Sequence, residues 1–289
     1  MDYYPYLISG TDTYTRQNVG LLSRIPPTNH TILGSASLKR TDLRKNHPLQ
    51  YSKCQFKSNK NQSTSVSKNY YTYMEVPLVD TTILPLLLFG IHLKAKPTHP
   101  KSCSQREAQA LIIRDHLRSL VAQYNSSNPS VPLSVVLLGD FNDFDDSISD
   151  FSNNKPSSSV FDILRDFGVL DMVNVMGAVP KNKLYSHWWD RNQNNVVDFG
   201  ELSLLDHIMV SRNLIPFIDQ VIIHHDDSGI NRISDHWPIS VTFNFDGANF
   251  EQSIFGKDSI ASTSLDNVVL VTLCVVAVGF LIGIKLVYK

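Results

Sequence analysis

No charge of one sign dominates this chain. Its 289 residues carry 26 Lys and Arg against 27 Asp and Glu, a formal net charge of −1. That balance excludes a broad basic face as the main source of affinity for nucleic acid, and leaves a small phosphorylated ligand or local basic loops. Cysteine is scarce, with three in all, and Cys274 lies inside an apolar run. Cys54 and Cys103 can therefore form at most one disulfide, which excludes a disulfide-rich scaffold. Internal repeats are absent. No basic or apolar leader opens the sequence, because Asp2-Tyr3-Tyr4-Pro5 follows Met1. Delivery to a membrane or lumen then calls for an upstream segment or for insertion through the C-terminal end. Glycosylation acceptors are few: Asn29, Asn61 and Asn125 qualify, while Asn128 is excluded by Pro129.

What is present begins with 42% hydrophobic residues, enough for one sizeable core. The longest apolar run lies at the C-terminal end. Residues 268–287 are almost wholly apolar, and as a helix they would span about 30 Å at ~1.5 Å per residue. The expectation is a single transmembrane helix over 268–287. Lys285 snorkels in this reading, Lys289 lies on the cytosolic side and the bulk of the chain is extracellular or lumenal. Ser259, Ala261 and Ser262 before the run also admit a cleaved lipid-anchor signal. Residues 246–267 read as a linker, and residues 1–245 as one domain.

Along that domain, Val19–Ser23 reads as a short strand and residues 28–70 as a long polar surface excursion. Alternation over Tyr70–Val76 and a continuous apolar run over Leu84–Leu93 read as strands. Ser104 and Glu107 have capping-box spacing, so the pattern predicts a helix from Ser104 to about Tyr124. Val135–Leu138, Leu204–Val210, Val221–His224 and Ile239–Phe245 read as further strands, with a helix at Val160–Phe167 stopped by Gly168. Strands outnumber helices, so the expected sheet is mixed.

Three polar motifs border these runs: Gly139-Asp140-Phe141-Asn142, Leu205-Asp206-His207-Ile208 and Ser234-Asp235-His236-Trp237-Pro238. Each falls at the end of a strand, where a sheet presents side chains to a cleft. Asp with Asn, followed later by an Asp-His pair, suits a divalent metal held against a phosphate ester. Together with Val19-Gly20-Leu21-Leu22-Ser23-Arg24 and Ile91-His92-Leu93, the five motifs in this order resemble the endonuclease/exonuclease/phosphatase superfamily. These are metal-dependent phosphodiesterases that include DNase I-like nucleases, sphingomyelinases and inositol-phosphate phosphatases.

The resemblance implies a two-sheet α/β sandwich (DNase I-like) over most of residues 15–245. It implies that Asp140 lies near metal and attacking water, with Asn142 donating an amide hydrogen bond to the phosphoryl oxygen. His236 is then a general base or a charge-stabilising partner, oriented by Asp206. Asp235 would help hold metal, and His92 would contact the phosphate from the opposite side. Mg²⁺ or Mn²⁺ is the implied cofactor, since hard ions choose carboxylate oxygen. His207 points away from the cleft by strand alternation. Members of the family also carry an Asn and a metal-binding Glu on strands upstream of the Ser-Arg motif. Neither has a counterpart before Arg24, and Glu75 comes too late to substitute, so the expected sandwich lacks its first strands.

A second metal candidate is Asp190–Glu201. This twelve-residue stretch fits a calcium loop, with oxygens on Asp190, Asn192, Asn194 and Asp198, and Glu201 at position twelve. Asn195 replaces the usual Gly at position six. Lys94, Lys96, Lys101, Arg106, Lys39, Arg40, Arg44 and Lys45 could ring the cleft mouth and bind phosphates. The expected activity is hydrolysis of a phosphodiester in a nucleic acid or a phosphorylated small molecule or lipid. A non-catalytic phosphate-binding module and a sphingolipid- or inositol-phosphate-directed enzyme are the alternatives. No obligate protein partner is implied.

Overall fold

The computed structural model describes residues 6–9, 20–23, 25–32, 37–39, 54, 63–65, 70–78, 83–166, 168, 170–225, 234–245, 269–276 and 281–288. Sixteen strands are found there: β1 (Tyr6–Ser9), β2 (Gly20–Ser23), β3 (Pro27–Ile32), β4 (Ser37–Lys39), β5 (Ser63–Ser65), β6 (Tyr70–Pro77), β7 (Ile83–His92) and β8 (Ser134–Asp140), followed by β9 (Met172–Asn174), β10 (His187–Trp188), β11 (Leu202–Ser203), β12 (Asp206–Ser211), β13 (Ile218–Ile223), β14 (Ile239–Phe245), β15 (Val269–Val276) and β16 (Leu281–Tyr288). Two helices accompany them, α1 (Pro100–Ser127) and α2 (Val160–Arg165).

Two six-stranded sheets carry the fold, in the orders β3-β6-β7-β8-β12-β9 and β1-β2-β16-β15-β14-β13. In the first sheet β7 and β8 run parallel, joined by the α1 crossover, while β6, β12 and β9 are antiparallel to their neighbours. The sheet is mixed, as its sequence pattern predicts. β7 is apolar from Ile83 to Ile91, as suits a strand covered on both faces. Leu87, Phe89 and Ile91 pack with Ala108, Ile113, Leu117 and Val121 of α1. Leu86 and Leu88 face the other way, into a core shared with Val136, Leu138, Ile208, Val241, Phe243 and Phe245. That second core joins the sheets into a sandwich, with α1 outside the first.

Several boundaries differ from the sequence pattern. α1 starts at Pro100, not Ser104, with His99 as N-cap and Pro favoured at the first helical position. The Glu107 carboxylate accepts from the Ser159 amide instead of closing a capping box, at 2.9 Å. Tertiary use of that buried acid overrides the local motif. The polar stretch after residue 28 is not wholly a surface excursion, since β3 pairs with β6 and β4 with β5.

The largest correction concerns the C-terminal run. Val269–Val276 and Leu281–Tyr288 are strands, where the sequence pattern predicts a transmembrane helix over 268–287. β15 and β16 pair antiparallel, β15 also pairs with β14, and β16 lies parallel to β2. Among the described residues no helix is long and apolar enough to cross a membrane. An uninterrupted apolar run cannot separate a buried strand from a helix by periodicity. Here Val269, Val271, Thr272, Val275 and Val276 are β-branched and favour the pleated form. The hairpin extends the sheet from β14 to β2. The 246–267 linker lies outside the described residues.

Cys54 and Cys103 are joined in a disulfide across 49 residues, with Cα atoms 5.9 Å apart.

Candidate functional site

Register alone assembles most of the site. Parallel pairing of β7 with β8 sets His92 opposite Asp140, and antiparallel pairing of β8 with β12 sets Asp206 opposite Asp140. His92, Asp140 and Asp206 thus form one row across three neighbouring strand ends, about 10 Å long at the usual strand spacing. His236 reaches that row from the segment before β14, placing Nδ1 2.6 Å from Asp206 Oδ2. The site therefore sits at the rim where the two sheets meet.

Gly139 makes the row possible. Its φ is +138°, and a Cβ there would collide with the Ile91 carbonyl oxygen. Only glycine lets β8 approach β7 so closely one residue before Asp140. Gly139→Ala should therefore lower the melting temperature and cut turnover at least tenfold through misplacement of Asp140. A circular-dichroism melt beside an activity assay checks both.

Asp140 is 3% exposed. Its Oδ1 accepts from the Asn142 backbone N–H at 2.7 Å and its Oδ2 from Asn142 Nδ2 at 2.5 Å, while His92 Nε2 is 3.7 Å from Oδ2. Burial pushes its pKa up to about 7, against the pull of His236 and with the push of Asp206. Asn142, at φ +50°, also donates to the Leu93 carbonyl. Its amide is thus turned onto Asp140 and the Leu93 carbonyl. Asn142 positions the acid.

Asp206 is 1% exposed, and its Oδ2 accepts from Ser186 Oγ at 2.8 Å as well as from His236. Its Oδ1 is buried without a hydrogen-bond partner among the described residues. Burial acts to lower the His236 pKa, but Asp206, Asp140 and Asp235 outweigh it and raise the group to about 10. Of its two expected roles, a raised pKa suits charge stabilisation better than general base.

Two residues that pattern reading passed over complete the site. Ser186 is fully buried and also accepts from the Leu205 and Asp206 amides, fixing the Asp206 strand end. His187 lies against His236, ring centroids 4.6 Å apart, with Nε2 3.6 Å from Asp235 Oδ2. The contact with His187 outweighs burial and holds the Asp235 pKa at about 2. A Ser-His pair before two tryptophans was the available signal. Nothing in its spacing reveals that this segment pairs with residues 235–237.

Other sequence-selected residues sit elsewhere. His207 is a core histidine between Phe141 and Phe161, bonded to Asn174 Nδ2 and the Asp143 carbonyl, with its pKa lowered by burial. Arg106 is no phosphate ligand: it is fully buried, holding Asp143 and the Lys96 and Pro97 carbonyls. Lys94 and Lys96 are exposed after His92, whereas Arg40, Arg44 and Lys45 lie outside the described residues. Glu75 is exposed on β6 opposite Pro85, seven residues from the His92 end of β7. Asn125 Oδ1 accepts from the Leu133 amide, and Asn61 lies outside the described residues, as does the side chain of Asn29.

The Asp190–Glu201 loop is closed by its own bonds. Asp190 accepts from the Asn194 and Asn195 amides, and Asn192 and Asn194 donate to Asp198. Asn195 takes φ +57°, the left-handed form expected at that position. The Glu201 carboxylate accepts from the Arg191 and Asn192 amides and from Trp188 Nε1. Those donors make the twelfth-position acid a clasp for the turn.

No family model and no curated protein matches the sequence. Among solved structures, the chain is similar to an endonuclease/exonuclease/phosphatase from Beutenbergia cavernae. Identity there is 12%, over 87% of this chain and 53% of that one, with a TM-score of 0.42. The chain is also similar to the 3′ phosphatase NExo from Neisseria, at 16% identity over 76% of this chain and 72% of that one, TM-score 0.44. For truncated TDP2 of Caenorhabditis elegans the values are 16%, 81%, 73% and 0.42. This chain spans about half the length of the Beutenbergia protein.

Proposed function

We propose that this chain is a divalent-metal-dependent hydrolase of phosphodiesters. The single observation that supports the reading is the row of His92, Asp140 and Asp206 joined by His236. Two buried carboxylates directly opposite each other repel and call for positive charge. His236 supplies one such charge. The buried unpartnered Oδ1 of Asp206 and the raised pKa of Asp140 both fit a further cation beside them. The donors are hard oxygens, so Asp140 would hold Mg²⁺ or Mn²⁺, ions that keep several waters and need few protein ligands. When bound, such an ion polarises a phosphoryl oxygen and offsets charge developing on it.

The chain's own residues do the rest. Asp140, fixed by Asn142, accepts a hydrogen bond from the attacking water. His236, kept protonated by Asp206, donates to the phosphoryl oxygen and stabilises the charge that develops there. His92 borders Asp140 on the opposite side from Asp206 and faces the same phosphate. The expected result is Mg²⁺-dependent hydrolysis within a panel of oligonucleotides, sphingomyelin and inositol phosphates, lost on chelation and in Asp140→Asn. A folded, native full-length protein that cleaves none of these with either ion is a phosphate-binding module instead.

Metal removal should also register in stability. The Asp140 pKa in the folded state is raised from 3.8 to about 7. The folded state then holds a proton that the unfolded chain releases, so stability should fall as pH rises from about 4 to 7. Added Mg²⁺ should reverse that fall. Melting curves over this range with and without Mg²⁺ check it, and a flat pH profile unaffected by the ion contradicts it.

A further inference from the structure

His187 and His236 face each other as an isolated antiparallel bridge. The flanking bonds, Trp188 N–H to Asp235 O at 2.9 Å and Trp237 N–H to Ser186 O at 2.8 Å, make theirs the non-hydrogen-bonded pair. Side chains approach most closely in such a pair and project from the same face. Both imidazoles have Nδ1 held by an oxygen, Ser203 Oγ at 3.0 Å for His187 and Asp206 Oδ2 at 2.6 Å for His236. An oxygen on one ring nitrogen fixes the tautomer and directs the other nitrogen at a metal, the usual outer-shell arrangement of a histidine ligand. Asp235 completes the set: one ligand atom from each of His187, Asp235 and His236 lies within 4.8 Å of the others.

We propose that His187, Asp235 and His236 form a second cation site, selective for a borderline transition ion of the zinc class, whose occupation withdraws His236 from phosphate. The regulatory half of this inference rests on the hydrolase reading above; the binding half does not. Two imidazole nitrogens and one carboxylate match the three-ligand zinc set with a fourth position open to water. Mg²⁺ prefers oxygen, so it belongs beside Asp140 and not here. Ligand atoms around zinc stand about 3.3 Å apart at Zn–N distances of ~2.0–2.1 Å. Closing the cluster to that size asks most of Asp235, whose side chain is 69% exposed and able to turn. Zinc on His236 Nε2 releases that nitrogen's proton to solvent and occupies the position that would donate to the phosphoryl oxygen. Mg²⁺ would thus activate and Zn²⁺ inhibit at neighbouring positions.

The test uses cobalt as a visible stand-in for zinc, on the full chain stripped of metal. One equivalent of Co²⁺ should give the intense visible bands of a four- or five-coordinate ion, discharged by Zn²⁺ and untouched by excess Mg²⁺. His187→Ala should abolish those bands, and Ser203→Ala, which removes only an outer-shell partner, should weaken binding about 10–100-fold. Should His187→Ala fail to fold, Asp235→Asn takes its place. Weak six-coordinate bands in the wild type, or equal affinity in a folded His187→Ala or Asp235→Asn, overturn the site. The spectra need no turnover, so the two readings fail separately. Cobalt binding without Mg²⁺-dependent hydrolysis rejects the hydrolase, and hydrolysis with no inhibition by Zn²⁺ rejects the regulatory half.

Discussion

Replacing His236 by alanine is expected to lower kcat/KM by about 10²–10⁴-fold. The imidazole's Nδ1 is tied to Asp206 at 2.6 Å, with 12% of its side chain exposed. Its raised pKa of about 10 keeps it charged across the neutral range, so the substitution removes both a proton donor and a positive charge. Asp206 is then left with Ser186 as the donor to its carboxylate, in a buried position. Removing one partner of a buried ion pair costs about 3–5 kcal/mol, so stability should drop as well. A pH profile separates the two effects. The folded-state pKa lies above the unfolded value of 6.5, so the stabilisation is fully present below about pH 6.5 and is lost as pH rises toward 10. Wild-type melting temperature should fall over that interval, and the His236→Ala profile should be flatter. Equal slopes, or turnover within a few-fold of wild type, would remove His236 from its assigned place.

Which parts of this site can be read from sequence follows from how each part is built. Asp140 and Asp206 end apolar strands, and the run-then-acid pattern marks such ends directly. Their meeting depends on strand order, which residue patterns hint at only through the motif series. Ser186 and His187 reach the site by a bridge between two short segments, with no periodicity to announce it. Asn142 shows a subtler limit. Its presence beside Asp140 is legible, but a left-handed φ turns its amide inward, and single-sequence reading does not predict that angle. At the C-terminal end, hydrophobic length argued for a helix, while β-branched content fits the strand pair found. Composition there constrained burial and left the backbone form open. Arg106 failed for a different reason. A basic residue near a cleft reads as a phosphate ligand until its neighbours show that it is fully enclosed.

That enclosure makes Arg106→Ala the largest stability loss expected outside the catalytic row. The guanidinium donates to the Lys96 carbonyl at 3.0 Å, the Pro97 carbonyl at 2.7 Å and Ser157 Oγ at 2.8 Å, with Asp143 at 3.4 Å. It thereby ties the segment leaving His92 to α1 and to the loop before α2. Alanine would strand those carbonyls and leave Asp143 fully buried without its cation. Breaking such a pair costs about 3–5 kcal/mol, or on the order of 10 °C in melting temperature for a domain of this size. Arg106→Lys should rescue little, because an ammonium cannot serve the planar fork that reaches separate carbonyls. Burial already raises the Asp143 pKa to about 6 against the pull of Arg106, and losing the cation raises it further. The variant should therefore be relatively more stable at pH 5 than at pH 8, since protonation relieves the uncompensated charge. Adding Asp143→Asn to Arg106→Ala should recover part of the loss at pH 8 and little at pH 5. Urea unfolding of the two single variants and the double variant at both pH values measures the coupling directly. Independent, additive effects would show that Arg106 acts only as packing, and that the segment after His92 is held by other means.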